Sequence, residues 1–182
     1  MRTLGSTRSQ RRLTQGTSTA QPTLALPSIN PSLYFPNTPI EYPHSKPTTH
    51  PHMIFTIAVH GAPYASQANH HALRFCSACV AKGHKIKRVF FYHEAVLTAL
   101  STHVYPQEEG NPTQDWRDFA HQNNVELAVC IANGLKRGVL SASESSRYEK
   151  QTATLEDGFE LVGLGQLIEA IATSDRYVEF PA

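Results

Sequence analysis

The 182 residues carry 16 Lys and Arg against 15 Asp and Glu, a formal net charge of +1, with ten histidines and three cysteines. No apolar run approaches the roughly 18–20 residues of a membrane span, and the odd cysteine count argues against a disulfide framework and for a reducing compartment. The near-zero net charge hides two unlike parts divided at Met53, and the slight acidity of the second gives no support to direct nucleic-acid binding.

Residues 1–52 hold eight of the twelve prolines, one acidic residue (Glu41) and five basic ones, a formal +4. Such a stretch cannot bury a core and reads as a disordered tail. It admits two readings: an Arg-, Ser- and Thr-rich, acid-poor organelle transit peptide, or an upstream extension ahead of an initiator at Met53. The second is favoured because Met53 stands directly before the first strand. Residues 53–182, at a formal −3, have the size of one compact domain.

Ile54-Phe55-Thr56-Ile57-Ala58-Val59 is a short apolar run rich in β-branched residues, and it predicts a buried parallel strand feeding the loop Gly61-Ala62-Pro63-Tyr64. Ser66 caps a helix in which Ala68, Ala72, Phe75, Cys79 and Val80 recur at helical spacing, and Gly83 stops it. A second strand follows at about 85–92. Then come a helical stretch at 94–100, an exposed loop over 102–112 and a capped helix at 113–123 containing Trp116 and Phe119. The third strand, Val125 onward, ends at Cys130. Beyond it the pattern predicts a short helical turn to Leu140, polar helix near 143–150, a helix near 164–173 and a closing strand at 177–180. Strands alternating with helices imply an α/β domain, a mostly parallel sheet with helices on both faces in flavodoxin-like layers.

In open sheets of this kind ligands gather beyond the carboxyl ends of the strands. His60 to Tyr64, Tyr92 to Glu94 and Cys130 are therefore expected on one rim. Cys130 closes a strand and opens a helix, so it meets unpaired N–H groups and the positive end of a helix dipole, which favour the nucleophilic thiolate. The plain alternative is an inert buried cysteine. Lys136 and Arg137, one to two turns on, offer positive charge to a thiolate or a docking surface for an acidic partner. His60 and His93 follow strands that point at the rim and could exchange a proton with the thiol, although surface histidines are common. Tyr64, Phe91 and Tyr92 are candidate walls. Cys76-Ser77-Ala78-Cys79 invites a redox or zinc reading, but it lies at least two turns inside its helix and lacks further ligands at metal-site spacing, and helical periodicity favours core packing for Cys79. No glycine-rich phosphate loop is present.

Four separated blocks occur in order: Gly61, Pro63 and Tyr64 after the first strand; Val89-Phe90-Phe91-Tyr92 with Glu94 and Val96; Cys130-Ile131-Ala132 with Leu135 and Arg137-Gly138-Val139; and Gly158-Phe159 with Leu161 and Gly163-Leu164-Gly165, followed by Asp175-Arg176. With them the segment 53–180 resembles the DsrE/DsrF-like sulfur-relay proteins, in their TusD-like branch. The resemblance places the family's cysteine on Cys130. It implies that Cys130 carries a persulfide, taken from a TusA-like donor and passed to a TusE-like acceptor, inside a cytoplasmic heterohexamer with TusB- and TusC-like subunits. It further implies 2-thiolation of tRNA wobble uridine as the end use. Thiol exchange at sulfur calls for no cofactor or metal, and composition and hydropathy give no direct nucleic-acid contact and no membrane span. Two other roles stay open: a non-catalytic structural subunit of such an assembly, and DsrE-like service in dissimilatory sulfur oxidation. His60, His93, Cys76 and Cys79 have no counterpart in the family pattern.

Overall fold

The computed structural model describes residues 51–106 and 108–182. The tail assigned to 1–52 lies, but for its last two residues, outside them.

Five parallel strands form one sheet: β1 (Ile54–Val59), β2 (Lys85–Phe91), β3 (Glu126–Cys130), β4 (Phe159–Val162) and β5 (Arg176–Phe180), in the order β4-β3-β2-β1-β5. Helices α1 (Ala68–Ala81), α2 (Pro112–Asn123), α3 (Ile131–Lys136), α4 (Ala142–Arg147) and α5 (Leu164–Ala172) connect them, with a 3-10 helix at His93–Ala99. The expected α/β layering and the three leading strands are present. β4 is the element the hydrophobic pattern does not predict as a strand, since Phe159-Glu160-Leu161-Val162 is four residues long and sits at the sheet's edge. The stretch expected to be helical at 94–100 is a 3-10 turn rather than an α-helix.

Alternation along the strands sorts the core into two layers. Phe55 meets Phe75 of α1 at 5.8 Å, and Phe91 meets Trp116 of α2 at 5.5 Å and Phe159 at 5.4 Å, all between ring centroids. On the other face Thr56 donates to the Ala170 carbonyl of α5 at 3.1 Å. A bulge lies where Thr56 pairs with Arg88 while Phe55 pairs with Ile86, leaving Lys87 as the extra residue. The irregularity lets two consecutive side chains reach α5: Lys87 binds Glu169 at 2.8 Å, and the buried Arg88 binds the Gln166 carbonyl at 2.5 Å and Glu126 of β3 at 2.6 Å.

Helix ends follow local chemistry. Gly83, at φ +82°, turns the chain left-handed after α1, so that its N–H reaches Val80 and that of His84 reaches Cys79. Asn111 caps α2 through the Gln114 N–H at 3.0 Å with Pro112 in the first turn. Ser66 accepts from Ala68 N at 3.1 Å. A Cβ on Gly61 would collide with Ser66 and Ala68, so the loop after β1 can lie flat on α1 only with glycine there.

The loop is pinned by Asn69, which is buried. Its amide nitrogen donates to the Gly61 carbonyl at 3.0 Å, while its oxygen accepts from Trp116 Nε1 at 3.0 Å and Thr98 Oγ1 at 3.1 Å. One side chain thus ties the β1 loop, the 3-10 helix and α2 together. Asn69→Ala leaves three buried polar groups without partners and is expected to lower stability by about 3 kcal/mol. Denaturant unfolding followed by fluorescence of Trp116 measures it, and a loss below about 1 kcal/mol would contradict the assignment.

Candidate functional site at the carboxyl edge of the sheet

Because β1, β2 and β3 are parallel, His60, Tyr92-His93 and Cys130 leave the sheet at the same edge. Backbone hydrogen bonds continue the ladder past the strands: Tyr92 N donates to the Val59 carbonyl at 2.9 Å, and Ala95 N donates to the carbonyls of His60 and Tyr92, each at 3.0 Å. His93 is held at φ +46°, an uncommon conformation for a side chain larger than glycine's, which sets the direction in which the 3-10 helix and Glu94 depart.

Cys130 is the residue immediately before α3, as the sequence predicts, but its side chain caps nothing. The Asn133 amide, one turn on, donates to Sγ at 3.2 Å. Arg137, one turn further, donates through Nη1 to Asn133 Oδ1 at 3.3 Å and to the Asn133 carbonyl at 3.4 Å. Its Nη2 pairs with Glu94 Oε1. A continuous polar chain therefore runs Glu94, Arg137, Asn133, Cys130. Glu94's carboxyl lies below its ordinary value chiefly because Arg137 donates to it. Arg137 in turn is raised, first by that bond, with Cys130's charge adding to the rise.

Cys130 reaches the edge of the sheet as expected, but the structure buries its thiol, as the plain alternative had it. Cys130 is only 4 % exposed and belongs to the hydrophobic core, paired across the ladder with Val162 of β4. Its strand, rather than the rim, sets its depth. The expected electrostatic supports divide: Arg137 is in the network, whereas Lys136 is exposed and forms no ion pair among the described residues. Phe91, expected as a wall, is wholly buried against Trp116 and Phe159. Tyr64 is exposed and turns elsewhere, stacking on Tyr105 at 5.2 Å and against His103 at 5.0 Å. There it lines a cavity of about 270 Å³ with Asn69, His70, Asp115 and Trp116. Cys130 does not line that cavity, so the Tyr64 pocket and the thiol are separate features.

His60 and His93 do come together, Nδ1 to Nδ1 at 3.1 Å, with Tyr92 edge-on to His60 at 5.7 Å and 4.2 Å from His93. One ring must donate and the other accept, so the contact needs at least one neutral imidazole. Asn133 is the participant that sequence reasoning missed; its spacing of three from Cys130 in a predicted helical turn was the available signal. Cys76 and Cys79 are buried in α1 with their thiols raised by burial, which bears out core packing for Cys79 and shows it for Cys76 too.

Burial, more than the neighbouring His93, holds His60 below its ordinary value of 6.5, with Glu179 opposing. A group that is harder to protonate in the fold than in the unfolded chain stabilises the protein above the unfolded value. That contribution is lost as pH falls through the lower, folded one. The melting temperature is therefore expected to decline below pH 6.5, and less steeply in His60→Asn. Parallel declines for parent and variant, read by thermal melts over about pH 7.5 to 5, would refute the lowered His60.

Residues 53–180 match the model of the DsrE/DsrF-like family. Relatives include the "Sulfurtransferase TusD homolog" of Pseudomonas aeruginosa, 44% identical over 128 residues that cover 70% of this chain and 97% of the relative. The protein of the same name in Vibrio vulnificus is 42% identical over 126 residues, covering 69% and 96%. Among solved structures, the ychN protein of E. coli matches with a TM-score of 0.56 at 25% identity, over 71% of this chain and 99% of that one. With the matched segment spanning β1 to β5 and containing the Cys130 network, the chain belongs to the DsrE/DsrF-like family.

Proposed function

We propose that this protein is a sulfurtransferase of a sulfur relay, in which Cys130 carries sulfane sulfur as a persulfide. One observation carries the reading. A single cysteine stands at the carboxyl end of a central strand with a polar hydrogen-bond chain on its sulfur, while the other two are packed in α1 with raised thiols. The names of the relatives agree with it.

In the loading step the Cys130 thiolate attacks the outer sulfur of a donor persulfide. The new bond forms between the Cys130 sulfur and that outer sulfur, and the donor's own S–S bond breaks with its electron pair returning to the donor cysteine. In the second step an acceptor thiolate attacks the outer sulfur on Cys130, and Cys130 leaves as thiolate. Sulfur moves without net oxidation, so neither metal nor organic cofactor is called for. The outer sulfur of a persulfide lies about 2 Å beyond the first. The unloaded thiol, 4 % exposed, stays sheltered from overoxidation.

On this reading the donor is TusA-like, the acceptor TusE-like, and TusB- and TusC-like subunits complete a cytoplasmic heterohexamer that serves tRNA wobble-uridine 2-thiolation. No described helix is long and apolar enough to cross a membrane. The burial of Cys130 favours one second reading, a structural subunit whose sister chains carry the sulfur.

Intact mass after incubation with a persulfide donor tests the assignment. The parent is expected to gain one sulfur atom and Cys130→Ser none; equal gain by both removes Cys130 as carrier. Acceptor loading by the reconstituted complex separates the two readings, because a purely structural subunit supports it undiminished with serine at position 130.

A further inference from the structure

We propose that Asn133 is the catalytic hydrogen-bond donor to the Cys130 sulfur in both half-reactions, and that Arg137 and Glu94 are positioning residues that keep its amide turned toward that sulfur. The inference rests on Cys130 being the sulfur carrier. It begins from an asymmetry of the amide group: Asn presents a donor on one side and an acceptor on the other, in nearly the same shape, so its neighbours decide which side faces the sulfur.

Arg137 makes that choice. A guanidinium has donors only, so the Asn133 atom facing it at 3.3 Å must be the oxygen, and the nitrogen is left to face Sγ at 3.2 Å. Arg137 is held from two further directions, by the Asn133 carbonyl of its own helix and by the Glu94 carboxylate across the edge of the sheet. The 3-10 helix that carries Glu94 packs against α3, so the ion pair joins two elements that the fold already places together. Charge near the sulfur comes from Arg137 and, through it, Glu94, with His93 beside Glu94.

A neutral donor suits a sulfur that is nucleophile first and leaving group second. While Cys130 is a thiolate, the amide N–H stabilises its charge. As the S–S bond forms that charge disappears, and a neutral amide yields its contact at little cost where an ion pair would resist. When the acceptor attacks, negative charge returns to the same sulfur, and the same N–H receives it; a better-stabilised thiolate leaves faster.

The test is site-resolved alkylation of the full chain by iodoacetamide across pH, with peptides read by mass spectrometry so that Cys76 and Cys79 are scored apart from Cys130. In Asn133→Ala the midpoint of Cys130 alkylation is expected to move up by about one pH unit, a tenfold loss of thiolate at neutral pH. Greater access alone would raise the plateau without moving the midpoint. Arg137→Gln is expected to shift it in the same direction by less, Arg137→Lys to restore part of the shift, and the double variant to shift it no further than Asn133→Ala.

An unmoved midpoint in Asn133→Ala overturns the proposal; if that variant does not fold, an unmoved midpoint in Arg137→Gln does so. Additive shifts in the double variant overturn the positioning role of Arg137. The outcome is independent of the carrier assignment. Sulfur loading onto Cys130→Ser would remove the carrier while a shifted midpoint stood, and Cys130-dependent loading with an unmoved midpoint would do the reverse.

Discussion

The parallel pairing of β1, β2 and β3 is the constraint on which the rest of the molecule depends. Parallel strands end at the same edge, so the segments after Val59, Phe91 and Cys130 must leave side by side. The ladder does not stop with the strands. Tyr92 and Ala95 continue it to Val59 and His60, which fixes the start of the 3-10 helix to the end of β1. Glu94 is thereby delivered beside α3, where Arg137 meets it, and Asn69 secures the same region from below by joining the β1 loop to Trp116 and Thr98. Backbone geometry thus brings together the elements whose side chains form the polar chain to Cys130.

Burial and reactivity pull against each other at Cys130. A sulfur set among core residues gains packing and protection, yet on the proposed reading it has to meet partner sulfurs. Cys130 stands at a boundary: it pairs with Val162 on the strand side and meets a polar amide on the helix side. α3 is six residues long, so it contributes a weaker dipole than a long helix would, and the local donor from Asn133 matters correspondingly more.

Much of this could be read from the chain. β1 to β3, the glycine stop of α1 and the capped α2 follow from apolar runs and cap residues that act within a few positions of one another. The shared rim of His60 and His93 follows too, since both come after adjacent parallel strands, but their direct contact does not. What escaped depends on contacts distant in sequence. β4 is too short for a period-two pattern to emerge, and it becomes a strand by pairing with β3 some thirty residues earlier. The depth of Cys130 is decided by that same pairing. Tyr64 is near Cys130 in no local sense, and its ring follows the loop at His103 and Tyr105 instead. Phe91 ends its strand on the α2 face by alternation, which the apolar run alone does not specify because both of its faces are covered.

The three cysteines make the same point within one residue type. Cys76 and Cys79 stand three apart on one helix, the spacing of a redox pair, yet both face the core with thiols raised by desolvation, and Cys79 adds to the rise at Cys76. A pair that resists ionisation cannot supply the thiolate that exchange requires. Cys130 is no more exposed than Cys79, so solvent access does not separate them. The difference lies in the neighbouring polar groups: Cys130 alone among the three receives a side-chain donor, and that donor is itself oriented by an ion pair drawn from another element. On the proposed reading, reactivity in this fold is therefore a property of the junction between β3 and α3, set by what the helix brings to the sulfur rather than by how much water reaches it.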